Sequence, residues 1–230
     1  MLLYYISDRT QLSGPESFRR ERLLEKIAEA ARCGVDYIQL REKDLPARQL
    51  EALAGEAVRV IEENGQRKTG KREPGTCLLI NSRTDIAFAA GASGVHLRSD
   101  DISPSEVHRI WNPGGARPAS TSLPARAIPP PRATVVVSCH TVREVARAAE
   151  QGADFAAVAP VFEKRDWSPK SPAGLDTLRQ ACRYKIPVFA LGGVTLANVA
   201  ICRDAGVAGI AAIRLFQDND IGEVVRRLRG

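Results

Sequence analysis

The run Cys33-Gly34-Val35-Asp36-Tyr37-Ile38-Gln39-Leu40-Arg41-Glu42-Lys43 holds a whole unit of the fold. It follows the apolar spacing Leu23, Leu24, Ile27, Ala28, Ala31, which predicts a helix, so Gly34 reads as a left-handed C′ stop. Residues that suit a pleated surface come next and predict a strand over Tyr37–Arg41. That strand ends in charge, with no hairpin turn. A second helical pattern then begins (Leu50, Leu53, Ala54, Ala57, Val58, Ile61). Strand, polar end and helix in that order require a parallel neighbour and a right-handed crossover.

The signature recurs as Ala90-Gly91-Ala92-Ser93-Gly94-Val95, Gln151-Gly152-Ala153-Asp154-Phe155 and Ala205-Gly206-Val207-Ala208-Gly209-Ile210. The interval is roughly 55–60 residues, or two βα units, as in a barrel built of quarter-barrel repeats. Unrelated helix stops explain each glycine singly but less easily all four. Strand-like runs fall at Leu2–Ser7, Tyr37–Arg41, Cys77–Asn81, Gly94–Arg98, Thr134–Cys139, Phe155–Ala159, Val188–Leu191 and Gly209–Arg214. The expected fold is therefore α/β: a single (β/α)8 TIM barrel, one domain over residues 1–230. Insertions at about 64–76 and 112–132 follow helices, which puts them at the bottom face. Pro160–Gly174 follows strand six on the catalytic face, and its length predicts a lid or substrate clamp.

Composition narrows the class. With 44% hydrophobic and 26% charged residues the chain is an ordinary globular one. It lacks the roughly 18-residue apolar stretch of a membrane span. Met1–Asp8 has no basic leader and reads as a first strand, not a signal peptide. Five scattered cysteines without a C-x-x-C pair predict free thiols in a reducing cytoplasm, against both a disulfide framework and a zinc site. Much of the net charge of +6 sits in Gln66–Arg72 and Arg226–Arg229, which read as solvated runs. No aromatic residue is interleaved with them, so neither nucleic acid nor membrane is the expected partner. Homo-oligomerisation is left open.

Chemistry is expected at the C-terminal strand ends. Residues two apart share a face of a strand, so Gln39, Arg41 and Lys43 point into the barrel mouth together. Their donors make a clamp for a mono- or diphosphate, the alternative being surface pairing with Glu42 or Asp44. Leu191-Gly192-Gly193-Val194-Thr195, with a helix beginning near Thr195, lets backbone N–H groups approach an anion. The bland alternative is a tight turn. Asn81 ends strand three. Asp100 and Asp101 either cap the fourth helix or, for Asp101, hold Mg²⁺ through phosphate and water. Ser138 and His140 can face the pocket together, His140 as an acid or base or as a structural residue, while Cys139 faces the helices.

In order, these pieces resemble the thiamine phosphate synthase / TenI superfamily across nearly the whole chain. The matching stretches are Tyr4-Tyr5-Ile6-Ser7-Asp8, Ile38-Gln39-Leu40-Arg41-Glu42-Lys43, Leu79-Ile80-Asn81 and Gly94-Val95-His96-Leu97 with Asp101. They continue with Val137-Ser138-Cys139-His140, Ala159-Pro160-Val161-Phe162 and Ala190-Leu191-Gly192-Gly193-Val194. For the synthase branch the resemblance implies joining a hydroxymethylpyrimidine diphosphate to a thiazole phosphate, with release of diphosphate. It implies that Gln39, Arg41, Lys43, Asn81 and Ser138 grip the diphosphate and pyrimidine, with Arg41, Lys43, Ser138 and His140 as the catalytic set. It further implies Asp101 as a Mg²⁺ ligand and Gly192, Gly193 and Ile213 at the thiazole-phosphate end.

The chain departs from that pattern at several points. Ser82 replaces the second expected carboxylate, Arg98-Ser99 replaces Gly-Gln, and Arg214 replaces a serine. Glu163-Lys164-Arg165-Asp166-Trp167-Ser168-Pro169-Lys170 replaces Thr-x-Thr-Lys. Basic residues among Arg98, Lys164, Arg165 and Lys170 are candidates to replace some of the metal's charge. A second branch, the TenI-like thiazole tautomerase, lacks that carboxylate too and uses a histidine where His140 stands. The third expectation is a divergent phosphate-binding barrel without either activity.

Overall fold

The structure, a computed structural model, describes residues 1–65, 75–111, 132–162 and 174–230. Its parallel strands close into a barrel in chain order: β1 (Leu2–Ile6), β2 (Tyr37–Leu40), β3 (Cys77–Asn81), β4 (Gly94–Leu97), β5 (Thr134–Cys139), β6 (Phe155–Val158), β7 (Val188–Leu191) and β8 (Gly209–Ala212). Between them run α1 (Glu16–Arg32), α2 (Ala47–Asn64), α3 (Thr84–Ala89), α4 (Pro104–Trp111), α5 (Val142–Glu150), α6 (Gly174–Ala181) and α7 (Val199–Asp204). The short α8 (Arg214–Gln217) and then α9 (Ile221–Arg229) follow β8. This is the (β/α)8 barrel expected from the glycine repeat. β1, β2, β4, β6 and β8 stop one or two residues short of their predicted ends. There the chain leaves the ladder to build the mouth: Ser7 still donates its N–H to Gln39 O, but its hydroxyl has turned aside to Glu42.

The repeat has a physical cause. Gly34, Gly91, Gly152 and Gly206 have φ of +74°, +71°, +80° and +89°, the left-handed conformation that a Cβ disfavours. Behind the first three, paired bonds close the helix end. Gly34 and Val35 donate to Ala31 and Ala30, Gly91 and Ala92 to Phe88 and Ala87, and Gly152 and Ala153 to Ala149 and Ala148. The residue two places on then reaches back to the preceding odd-numbered strand. Asp36 Oδ2 accepts from Leu3 N–H at 2.7 Å, Ser93 Oγ from Leu78 N–H at 3.2 Å, and Asp154 Oδ2 from Val135 N–H at 2.8 Å. At the fourth instance the residue is Ala208, and its backbone carbonyl accepts Leu2 N–H instead.

Two cores result from the alternation of side chains. The outward set (Leu3, Ile38, Leu40, Ile80, Val95, Val137, Cys139, Val158) packs under the helices. The inward set fills the barrel. At the inner core Tyr4, Tyr37, Phe155 and Phe189 form a plug with ring centroids 5.1 to 5.9 Å apart. Such a plug makes the lumen a packed floor and leaves chemistry to the mouth.

Two expectations about helix starts are corrected. α7 begins at Val199 and not near Thr195, because the Asn198 side chain accepts Thr195 N–H at 2.8 Å and holds a turn there. α4 is capped neither by Asp100 nor by Asp101. Ser103 Oγ accepts Glu106 N–H at 3.3 Å while Glu106 Oε2 accepts Ser103 N–H at 2.9 Å, a reciprocal box. The basic run 66–72, most of the insertion at 112–132, and the expected lid with Glu163, Lys164, Arg165 and Lys170 lie outside the described residues.

Candidate active site

The mouth is assembled from the base of the β1 and β2 loops. Glu42 is 3% exposed, and its carboxylate accepts the Ser7 hydroxyl at 2.5 Å, the Arg9 N–H at 3.0 Å and Arg9 Nη1 at 3.1 Å. Arg9 also gives Nε to Glu16 at 2.6 Å and both Nη groups to Asp44 at 2.7 and 2.8 Å. The Arg9 guanidinium holds the Asp44 carboxyl below the usual carboxylate range. This buried charge cluster was not anticipated; its signal was Glu42 itself, an acid on the outward face of a strand end. Its effect is positional. Ser7 Oγ, fixed by Glu42, accepts the backbone N–H of Arg41 at 3.0 Å, so Arg41 leaves the barrel in a set direction.

Gln39 is placed as alternation predicts, and Arg41 follows just past the end of β2. Gln39 is 2% exposed and its Nε2 donates to Asn81 Oδ1 at 2.9 Å, across the β2–β3 pair. Arg41 is half-buried, with Asp8 Oδ2 3.9 Å from its Nη1. The carboxylates first weighed as its surface partners, Glu42 and Asp44, are bonded to Arg9 instead. Lys43 differs from expectation. β2 ends at Leu40 and a turn follows (Leu45 N–H to Glu42 O, 3.4 Å), so strand alternation no longer governs Lys43, which is exposed.

On the next two strands His96 bridges the lumen. Its Nδ1 lies 2.9 Å from the Tyr4 hydroxyl and its Nε2 2.9 Å from Ser138 Oγ. His96 is 3% exposed; burial, and then the nearby Arg41 cation, push its pKa down to about 3, so the ring is neutral. Burial also holds the Tyr4 hydroxyl well above its ordinary value, so it keeps its proton. His140 is exposed, and its hydrogen bonds go elsewhere. Its Nδ1 is 2.5 Å from the Ala159 carbonyl, and its backbone N–H donates to Glu144 Oε2 at 2.5 Å. A carbonyl only accepts, so in the neutral ring Nδ1 carries the proton and Nε2 is the basic nitrogen. Cys139 faces the helices, and burial pushes its thiol up to about 12.

The other half of the ring is apolar. Leu191 and Ile213 pack on the inner core with Ile6. Gly192 and Gly193 are both left-handed, at φ +91° and +68°. A Cβ on Gly192 would stand 2.8 Å from Pro160 Cα, so glycine is what lets the β6 and β7 loops meet. On the polar side, Asp101 Oδ2 accepts Arg98 N–H at 2.8 Å, and Arg98 pairs with Asp100. Ser82 sits after Asn81 at φ +57°, and its buried hydroxyl has no hydrogen-bond partner. Among the described residues no three His, Cys, Asp or Glu side chains converge, so there is no all-protein metal cage. Asp101 supplies one carboxylate, and Mg²⁺ binds through one or two carboxylates plus phosphate oxygens and water.

The model of the family described as thiamine monophosphate synthase matches residues 3–122 and 115–216, which together span most of the chain. The chain belongs to the thiamine monophosphate synthase family. Thiamine-phosphate synthases in this family from Methanoculleus marisnigri and Syntrophomonas wolfei are 34% and 33% identical to it. The alignments cover 99% of this chain in both cases, and 93% and 94% of those proteins. The solved thiamine phosphate pyrophosphorylase of Pyrococcus furiosus superposes with a TM-score of 0.73 at 25% identity, over 99% of this chain and 93% of that one. A 3-hexulose-6-phosphate synthase at TM-score 0.62 and 19% identity shares the barrel alone. The Methanoculleus marisnigri and Syntrophomonas wolfei synthases are both aligned over nearly their whole length.

Proposed function

We propose that this protein is a thiamine-phosphate synthase, a transferase joining a hydroxymethylpyrimidine diphosphate to a thiazole phosphate. The observation that carries the reading is the division of the mouth: Gln39, Asn81, Arg41 and Ser138 on the polar arc, Leu191, Gly192, Gly193 and Ile213 on the other. In the proposed reaction the bond between the pyrimidine methylene carbon and the diphosphate oxygen breaks, and its electron pair leaves with diphosphate. The thiazole nitrogen lone pair then forms the new C–N bond to that carbon. Arg41 and Lys43 hold the diphosphate, and Gln39 with Asn81 orients the pyrimidine. Gly192, Gly193 and Ile213 receive the thiazole phosphate. Asp101 is the residue that would hold Mg²⁺; when bound, the ion neutralises charge growing on the departing diphosphate. Five scattered cysteines without a C-x-x-C pair support a cytoplasmic location for the enzyme.

A second reading draws on Ser82, where a carboxylate was expected, and on His140, whose Nε2 is the basic nitrogen. It is a thiazole tautomerase, in which His140 moves a proton on a thiazole carboxylate phosphate. The test is a coupled assay of purified protein with pyrimidine methyl diphosphate, thiazole phosphate and Mg²⁺, following thiamine phosphate by fluorescence after oxidation. Turnover supports the synthase. Folded protein without turnover sinks it and makes the carboxylated thiazole phosphate the next substrate. His140→Ala should stop a tautomerase but only impair a synthase.

A further inference from the structure

We infer that Tyr4 and His96 are positioning residues that fix the Ser138 hydroxyl as a hydrogen-bond donor into the barrel mouth, aimed at an acceptor oxygen of the substrate's phosphate. The inference deepens the synthase reading, and rests on it for the identity of that acceptor.

Tyr4 is fully buried, and among the described residues its hydroxyl has a single hydrogen-bond partner, His96 Nδ1. Were Nδ1 to carry the imidazole proton and donate to the phenol oxygen, the Tyr4 proton would be left in an apolar barrel with nothing to accept it. An orphaned buried donor costs roughly 1–3 kcal/mol, enough to select between two tautomers of similar intrinsic energy. Tyr4 therefore donates and Nδ1 accepts. The ring is neutral, so its one proton sits on Nε2. Nε2–H then donates to Ser138 Oγ at 2.9 Å. With that bond accepted, the serine's own proton has to be given elsewhere. Ser138 is half-buried, and Arg41 lies close enough for its charge to act on His96. A donor held by the ring that feels this cation suits an anionic oxygen.

The chain runs from the aromatic floor to the mouth, and each link is non-local: Tyr4 on β1, His96 on β4, Ser138 on β5. Tyr4 is held by ring contacts to Tyr37 and Phe189 at 5.8 and 5.3 Å, so the first donor in the series has little freedom to turn away. The barrel core thereby sets the direction of a hydrogen bond at the reacting end. A serine without this chain could rotate to accept as readily as to donate.

The decisive experiment is nitrogen NMR of the intact protein carrying ¹⁵N-labelled histidine, at neutral pH. Only three histidines are present, and His96→Gln identifies the signals that belong to position 96. The expected result is a neutral ring with the proton on Nε2 and a bare Nδ1. A proton on Nδ1 alone, or an imidazolium, overturns the inference. Kinetics give a second arm. Tyr4→Phe should lower kcat roughly tenfold in an otherwise wild-type protein and change it little in a Ser138→Ala background, because Tyr4 acts through that hydroxyl. Equal effects in both backgrounds would mean a purely structural Tyr4 and also overturn it. If wild-type protein makes no thiamine phosphate yet carries the Nε2 proton, the reaction assignment fails and the orienting chain stands.

Discussion

Arg9 and Arg41 are the same residue type at adjacent strand ends, and the difference between them is a difference in partners. Arg9 is 3% exposed and divides its donors among Glu16, Glu42 and Asp44. Among the described residues, Arg41 has only Asp8, and that at 3.9 Å. The first is structural: removing it would strand the buried Glu42 charge, a loss on the order of 3–5 kcal/mol. The second is held in place by its backbone and has donors to offer a ligand. Arg41→Ala should therefore raise the dissociation constant for inorganic diphosphate at least roughly tenfold, the value of a charge-assisted hydrogen bond. The urea midpoint should barely move. Calorimetric titration beside a denaturation curve checks both, and unchanged diphosphate affinity would sink the clamp. Gln39 was legible from alternation alone, and Arg41, one residue past the strand, takes its direction from Ser7 Oγ. Lys43 was not, because alternation ends where β2 does, at Leu40.

The quarter-barrel repeat is where the sequence speaks most clearly about elements. Each glycine stop is a local event, forced by positive φ, and so is visible in a window of a few residues. Gly94 and Gly209 are different: nothing in their neighbourhood says why they are glycine. The reason lies across the sheet. A Cβ on Gly94 would fall 1.9 Å from the Thr134 carbonyl oxygen on β5, and one on Gly209 2.4 Å from Leu2 O on β1. In both, the clash is with backbone of a paired strand, which a rotamer change cannot relieve. Gly94→Ala should thus destabilise the protein by about 3 kcal/mol or more, or leave it unable to fold. Gly152→Ala is the comparison. Its Cβ meets nothing within 4 Å, so it suffers only the penalty of a left-handed alanine, on the order of 1 kcal/mol. Thermal melts of the two variants rank them, and equal losses would show that strand contact is not what position 94 is for. The chain Tyr4–His96–Ser138 was hidden for the same reason. Period-two alternation puts His96 inside the barrel, but only the register His96↔Val136 and Ser138↔Ala157 brings its ring beside Ser138.

At the scale of the molecule the barrel sets a chemical asymmetry: an aromatic floor, a polar arc over β2 to β5, and an apolar arc with paired glycines over β6 to β8. The cost of that arrangement falls on His96, an ionisable ring buried between floor and mouth. Its pKa is pushed from about 6.5 in the open chain down to about 3 in the fold, first by desolvation and then by Arg41. The sign follows from proton counting. Between those two values the unfolded chain binds a proton at this position and the folded one does not, so stability is fully present above the unfolded value and falls as the pH drops through the window. Asp44, Asp85, Glu106 and Glu144 have lowered values too, from ordinary ones of 3.8 to 4.5, so their contributions are lost only further down. From pH 6.5 to about pH 5, the His96 contribution to the slope is therefore expected at roughly 1 kcal/mol of stability per pH unit. Urea unfolding of the wild type and of His96→Gln, at several pH values across that interval, separates the contributions. The glutamine variant should lose that part of the slope whatever its absolute stability. Parallel curves for the two proteins would mean that His96 titrates alike in folded and unfolded chains, and the buried neutral ring would have to be abandoned.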